Sequence, residues 1–146
     1  MTNITIERAR GDDRDRVAAL LATNDLPHED VGTNAGRFFI ATTGSETVGA
    51  GGIERYGSNG LLRSVVITEP NRGKGYGVGL CDALEERART SGIERLYLLT
   101  TTASTFFEHR GYEKIGREIV PPDIKQTTEF TALCPSSATC MTKDIP

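Results

Sequence analysis

A mixed α/β fold, in one layered domain spanning residues 1–146, is what this sequence predicts, and three features predict it. Apolar stretches with strand periodicity alternate with stretches of helical periodicity in the order β-α-(α)-β-β-β-α-β-α-β-β. A chain of 146 residues is long enough for one proper core. The run PNRGKGYGVG at 70–79 puts four glycines at the junction between an apolar strand and a helix.

Taken in order, Ile4, Ile6 and Arg8 alternate as an opening strand. Asp12–Asp15 supplies acidic first-turn residues for a helix with Val17, Leu20 and Leu21 on its apolar face. Residues 24–36 read as a loop in which Pro27 can start a short helical turn. Phe38–Thr42 is a strand, and Gly44 with Ser45 turns the chain into another over Thr47–Tyr56. GSNG at 57–60 is hairpin chemistry, leading into Leu61–Thr68, a strand apolar on both faces. A helix from about 75 to 91 follows, because Leu80, Leu84 and Ala88 recur every fourth residue and Gly92 stops it. Arg95–Thr101 is the next strand, Thr102 caps a helix over Ala103–Arg110, and Gly111 ends that helix. Tyr112–Val120 reads as a strand, and a polar connection leads to a last strand near Ala138–Thr142.

Composition narrows the function classes. Hydrophobic residues at 37% and charged residues at 25% are those of an ordinary soluble globular protein. A net charge of −3 without a basic stripe argues against a nucleic-acid partner. No apolar run approaches the roughly 20 residues that span a bilayer. MTNITIERARGDDRD lacks an apolar signal core, so the expectation is a cytoplasmic protein with no membrane partner. Cys81, Cys134 and Cys140 make an odd number without CxxC spacing, and His28 and His109 lie far apart, so no metal site is expected.

The glycine segment fails two phosphate-loop patterns. Counting from Gly73 or Gly75, the third glycine of a dinucleotide fingerprint would fall on Val78 or Leu80; no Walker Gly-Lys-Ser/Thr occurs. It fits Arg-x-x-Gly-x-Gly, with Arg72, Gly75 and Gly77. At a helix N-terminus the backbone N–H groups point outward unpaired and the helix dipole adds positive character. Glycines let a diphosphate come close, while Arg72 and Lys74 add charge. A glycine-rich turn with solvated charges is the plainer alternative. It leaves unexplained a cost of roughly 1 kcal/mol per glycine relative to alanine.

From LLRSVVIT through NRGKGYGVGLCDALEERARTSG, RLYLLTT and ASTFFEHRGYEKIGR, the chain resembles the GNAT acetyltransferase superfamily. The resemblance implies a mostly antiparallel central sheet of six to seven strands flanked by about four helices. It implies acetyl-CoA as cosubstrate, with its diphosphate on Arg72, Gly73, Lys74, Gly75, Tyr76 and Gly77 and its pantetheine arm paired with the backbone of Val65, Val66 and Ile67. LLRS, RLYLLTTTA, FFEHRGY and TTEFTALCPSSATCM further resemble the arsenic-resistance-associated acetyltransferases, a label that names no acceptor. Two positions depart from the family pattern. Phe107 stands where a tyrosine usually protonates the departing thiolate, and Thr100 where asparagine is frequent. Phe107 is therefore expected to pack against the coenzyme arm.

For the proton chemistry the hairpin offers the better residues. Arg63 interrupts an apolar strand, an expensive placement unless it is paired or liganded. A turn centred on Ser58–Asn59 sets Glu54 opposite Arg63; one centred on Asn59–Gly60 sets Tyr56 there and Glu54 against Val65. Both leave Glu54, Tyr56 and Arg63 on one face, since strand alternation has period two. In a functional reading Glu54 and Tyr56 handle the proton and Arg63 anchors an acidic group of the acceptor; a register-fixing ion pair is the other reading. Thr102, beside Thr100 and Thr101, offers a hydroxyl to the acceptor. Residues 117–135 form either an acceptor lid or a plain surface loop. The expected activity is acetyl transfer to a small, amino acid-like amine by direct attack in a ternary complex. A coenzyme A sensor without chemistry and a protein N-acetyltransferase are the alternatives, and a homodimer stays open.

Overall fold

A computed structural model describes residues 4–8, 12–23, 38–44, 46–68, 75–101, 103–126 and 138–145. Among the described residues, seven strands and four helices follow one another as β1 (Thr5–Arg8), α1 (Asp12–Thr23), β2 (Phe38–Thr43), β3 (Glu46–Tyr56), β4 (Asn59–Ile67), α2 (Tyr76–Thr90), β5 (Arg95–Thr100), α3 (Ser104–His109), β6 (Glu113–Ile115), α4 (Pro122–Lys125) and β7 (Thr139–Asp144). A 3₁₀ turn over Arg117–Ile119 precedes α4. The strands join in one sheet in the order β1-β2-β3-β4-β5-β7-β6. Its ladders are antiparallel between β1 and β2, β2 and β3, β5 and β7, and β6 and β7. The parallel pairing of β4 with β5 runs from Asn59↔Arg95 to Leu61↔Tyr97. The mixed, mostly antiparallel sheet of the sequence reading is thus observed.

The chain divides into two compact units, Met1–Ile53 with Ser64–Arg87, and Glu54–Arg63 with Ala88–Pro146. In the first, Val17 and Leu21 of α1 pack with Phe38, Ile40, Ala50 and Val66, as the apolar spacing of α1 requires. Arg87 ties α2 to the first two strands, donating to the Ile6 carbonyl at 3.3 Å and lying 5.0 Å from the Phe39 ring centroid. In the second unit, Leu61, Tyr97, Val120, Ile124 and Cys140 form a cluster against which Tyr56, Leu99 and Ile115 pack.

Helix α2 buries the face its sequence spacing predicts: Leu80, Leu84 and Ala88, with Cys81 beside them. Sinking each leucine side chain stabilises by about 1.5–3 kcal/mol before conformational entropy is counted. Gly92 and Gly111 end α2 and α3 in the same way. The N–H of Ile93 reaches the Ala88 carbonyl and that of Tyr112 the Phe107 carbonyl, each at 3.0 Å across a glycine of positive φ.

Three expectations need correction. The strand expected over Tyr112–Val120 is β6 alone, Glu113–Ile115, paired with Cys140–Thr142. Gly116 instead opens a 3₁₀ turn, with the Ile119 N–H on the Gly116 carbonyl at 3.3 Å and the Val120 N–H on the Arg117 carbonyl at 3.2 Å, and the chain buries Val120 and Ile124. The connection from Arg117 is accordingly structured through Lys125, and its remainder at 127–137 lies outside the described residues. The third correction concerns the cap of α3. Ala103 is its N-cap residue, and the Ala103 N–H donates to Thr100 Oγ1 at 3.0 Å; Thr102 lies outside the described residues.

One irregularity lies within β4. Ser64 has φ of 60°, the one non-glycine residue with positive φ among the described residues. Beyond it, the Thr68 N–H reaches the Val48 carbonyl at 2.9 Å.

Candidate active site

The residues singled out from the sequence fall on two places, one in each unit. In the first unit, α2 begins at Tyr76 directly after Gly75. Gly75 has φ of +81°, and a Cβ built on it would meet nothing within 4 Å. The amides of Tyr76, Gly77 and Val78 belong to the first helical turn, where an α-helix supplies no acceptor. An open glycine beside outward amides fits an anionic group such as a diphosphate. Arg72, Gly73 and Lys74 lie outside the described residues. On β4, Val66 is buried in the core of this unit, while Val65 and Ile67 are half-buried.

The second place is the hairpin between β3 and β4. Its loop is Gly57 and Ser58, one position earlier than the Ser58–Asn59 register read from the sequence and two earlier than the Asn59–Gly60 one. Gly57 carries φ of +66°, as the first loop residue of a II′ turn must, and a side chain there would be strained. Among GSNG's turn-formers, that conformation decides the register. With Tyr56 and Asn59 flanking the loop, strand counting sets Glu54 across from Leu61 and one diagonal step from Arg63. Diagonal neighbours are within reach only of long side chains, and Glu54 and Arg63 are both long.

They do meet. Arg63 Nη1 donates to Glu54 Oε2 at 3.0 Å, and Tyr56 Oη donates to Glu54 Oε1 at 2.5 Å. One carboxylate therefore receives a guanidinium on one oxygen and a phenol on the other. The predicted convergence of Glu54, Tyr56 and Arg63 is what the structure brings together. Exposure rises along this chain: the Arg63 side chain is 0% exposed, that of Glu54 6%, and Tyr56 is half-buried. Such depth was not legible in the sequence, although an arginine inside LLRSVVI was its signal.

Phe107 is buried, and its ring stands edge-on to those of Phe106 and Tyr112, with centroids 5.2 and 5.4 Å away. On β7, burial pushes the Cys140 thiol up to about 11; Arg117 pulls it down and Glu118 pushes it further up, both by smaller amounts. Among the described residues, no group of three or more His, Cys, Asp or Glu is arranged to hold a metal ion. No described helix is long and apolar enough to cross a membrane.

Comparison with known proteins adds an independent line. Residues 6–116 match the family described as Acetyltransferase (GNAT) family. N-alpha-acetyltransferase 80 of Mus musculus is 42% identical over 53 residues, 36% of this chain and 17% of that protein. Amino-acid acetyltransferase of Azotobacter vinelandii (strain DJ / ATCC BAA-1303) is 34% identical over 62 residues, 42% of this chain and 14% of that protein. The chain thus aligns with less than a fifth of either curated relative. The structure of N-acetylglutamate synthase from Neisseria gonorrhoeae, complexed with coenzyme A and N-acetyl-glutamate, superposes with a TM-score of 0.84 at 18% identity. That match covers all of this chain and 36% of the other. It shows a shared fold.

Proposed function

The chain belongs to the GNAT acetyltransferase family, and from that premise we propose that it is an acetyl-CoA-dependent N-acetyltransferase. Its acceptor is the amine of a small, amino acid-like molecule, which attacks acetyl-CoA directly in a ternary complex. The observation that carries the reading is the Tyr56–Glu54 hydrogen bond, a half-buried phenol aimed at a buried carboxylate. The ligands named for the Neisseria enzyme, coenzyme A and N-acetyl-glutamate, support the substrate class.

In this mechanism the acetyl donor lies along Val65, Val66 and Ile67. Its diphosphate is held by the amides of Gly75, Tyr76 and Gly77, with Arg72, Gly73 and Lys74 completing the cradle. The amine nitrogen bonds to the thioester carbon, the carbonyl becomes an oxyanion, and the C–S bond breaks as that oxyanion collapses. Tyr56 accepts the proton that the amine loses while passing its own to Glu54. That proton is returned to the departing thiolate, so the products are the amide and coenzyme A. This route replaces the acid that Phe107 cannot be. Held between Phe106 and Tyr112, Phe107 packs beside the coenzyme arm, and Thr102 offers its hydroxyl to the acceptor.

Free-thiol release from acetyl-CoA, screened over amino acids, polyamines and arsenical amino acids, tests the reading. The arsenicals test the subfamily resemblance. Glu54→Gln should lower turnover by about 10²–10⁴ while calorimetry finds coenzyme binding intact. A protein that binds coenzyme A but releases no thiol with any amine would be a sensor. Turnover confined to peptide N-termini would make it a protein acetyltransferase.

A further inference from the structure

We infer that Arg63 is a positioning residue, which orients Glu54 so that its Oε1 faces Tyr56 and which never touches the acceptor. The inference rests on the reading above, in which Glu54 and Tyr56 move the proton. Three observations carry it. The guanidinium is wholly buried, so an acceptor carboxylate has no route to it. Its 3.0 Å contact goes to Oε2, the oxygen opposite the one that Tyr56 uses. Exposure grows from Arg63 through Glu54 to Tyr56, leaving the phenol as the outer end of the chain.

A carboxylate can rotate about its last torsion unless its oxygens are held. Gripped at Oε2 by a guanidinium fixed in the strand, it keeps Oε1 directed at the phenol. A buried ion pair is seldom needed for stability, because apolar residues of similar volume serve as well or better. Orientation is what such residues cannot supply. It follows that an acidic group on the acceptor gains nothing from Arg63, contrary to the anchoring role suggested by the sequence, and selectivity among amines must arise elsewhere.

Arg63→Lys keeps the charge and loses the planar fork, so it tests the role with less risk to folding than removing the charge. Steady-state kinetics on the best acceptor from the thiol-release screen, and on its analogue without a carboxylate, should show kcat down about tenfold or more, with KM for both within about twofold. Coenzyme affinity should be unchanged. In a Glu54→Gln background the same substitution should cost nothing further, because Arg63 acts through Glu54. Loss confined to KM for the carboxylate-bearing acceptor would overturn the inference, and so would an equal loss of kcat in both backgrounds.

A second readout does not depend on turnover. The Tyr56 hydroxyl proton, held between two oxygens, should give a downfield NMR resonance that vanishes in Tyr56→Phe and moves in Arg63→Lys. Were no amine acetylated, the proposed function would fall while this resonance still judged Arg63. A signal absent from the wild type, or unmoved by Arg63→Lys, would overturn the positioning role.

Discussion

Two ion pairs in the same unit differ in the way that matters most. Arg95 Nε and Asp144 Oδ1 are 2.6 Å apart, with side chains 46% and 65% exposed. Arg63 and Glu54 are farther apart at 3.0 Å, with side chains 0% and 6% exposed. Contact distance alone would rank the outer pair first. Water and salt screen it, however, and two long side chains must be ordered to make it. The inner pair is hardly screened, and each partner offsets part of the solvation the other has lost. The shorter contact is therefore the weaker determinant.

Removing one member of each pair is the sharpest way to break this contrast. Arg63→Met leaves the Glu54 carboxylate buried without its cation and should cost about 3–5 kcal/mol in urea unfolding. Combining it with Glu54→Leu should recover most of that loss, to within about 1–2 kcal/mol of the wild type, while turnover stays absent. Failure to recover would mean that the pair holds the fold as well as the chemistry.

Cys140 extends the contrast to a single buried group. Its thiol titrates near 11 in the fold against an ordinary 9.0, chiefly because burial disfavours the thiolate. The folded state binds that proton more tightly. Its contribution is complete below pH 9 and is lost as pH rises through 11, on the order of 1–3 kcal/mol. Cys140→Ala should flatten the stability profile over that window, and at pH 8 the wild-type thiol should alkylate far more slowly than in urea.

The smallest effect belongs to Asp144→Asn. The hydrogen bond from Arg95 holds the Asp144 carboxyl below the usual carboxylate range and raises Arg95 in turn. The pair therefore contributes above the ordinary carboxylate range and fades as pH falls. With both side chains exposed, the melting midpoint at neutral pH should barely move. A loss matching that of Arg63→Met would refute the contrast.

Where periodicity governs, the sequence was readable. The Leu80, Leu84 and Ala88 stripe and the shared face of Glu54, Tyr56 and Arg63 follow from periods of 3.6 and 2. Where several residues suit the same local geometry, it was not. Each of Gly57, Ser58, Asn59 and Gly60 can form a turn, and only the assembled hairpin selects the first two. Thr100 reads as an open strand hydroxyl, yet its Oγ1 accepts from the Ala103 amide just ahead of α3. Ile115, Ile119 and Val120 suggest a longer β6, but the chain leaves the sheet at Gly116 for a 3₁₀ turn over Arg117–Ile119. The burial of Arg63 depends on residues packed from distant sequence, which no local pattern encodes.

Ser64 has a consequence for how this chain can diverge. Counting outward from Tyr56 and Asn59 would bring Ile67 opposite Val48, yet Thr68 makes that bond, so β4 holds one residue more than β3. The surplus residue reverses the parity of the strand, and odd positions beyond it take the side that even positions hold before it. Mutations at 59–63 can then retune proton handling without inverting 65–67, whereas deleting the surplus residue would turn Val65 and Val66 inside out. A β-branched replacement at 64 would have to tolerate the left-handed backbone, so that position is the narrow gate through which change in this strand must pass.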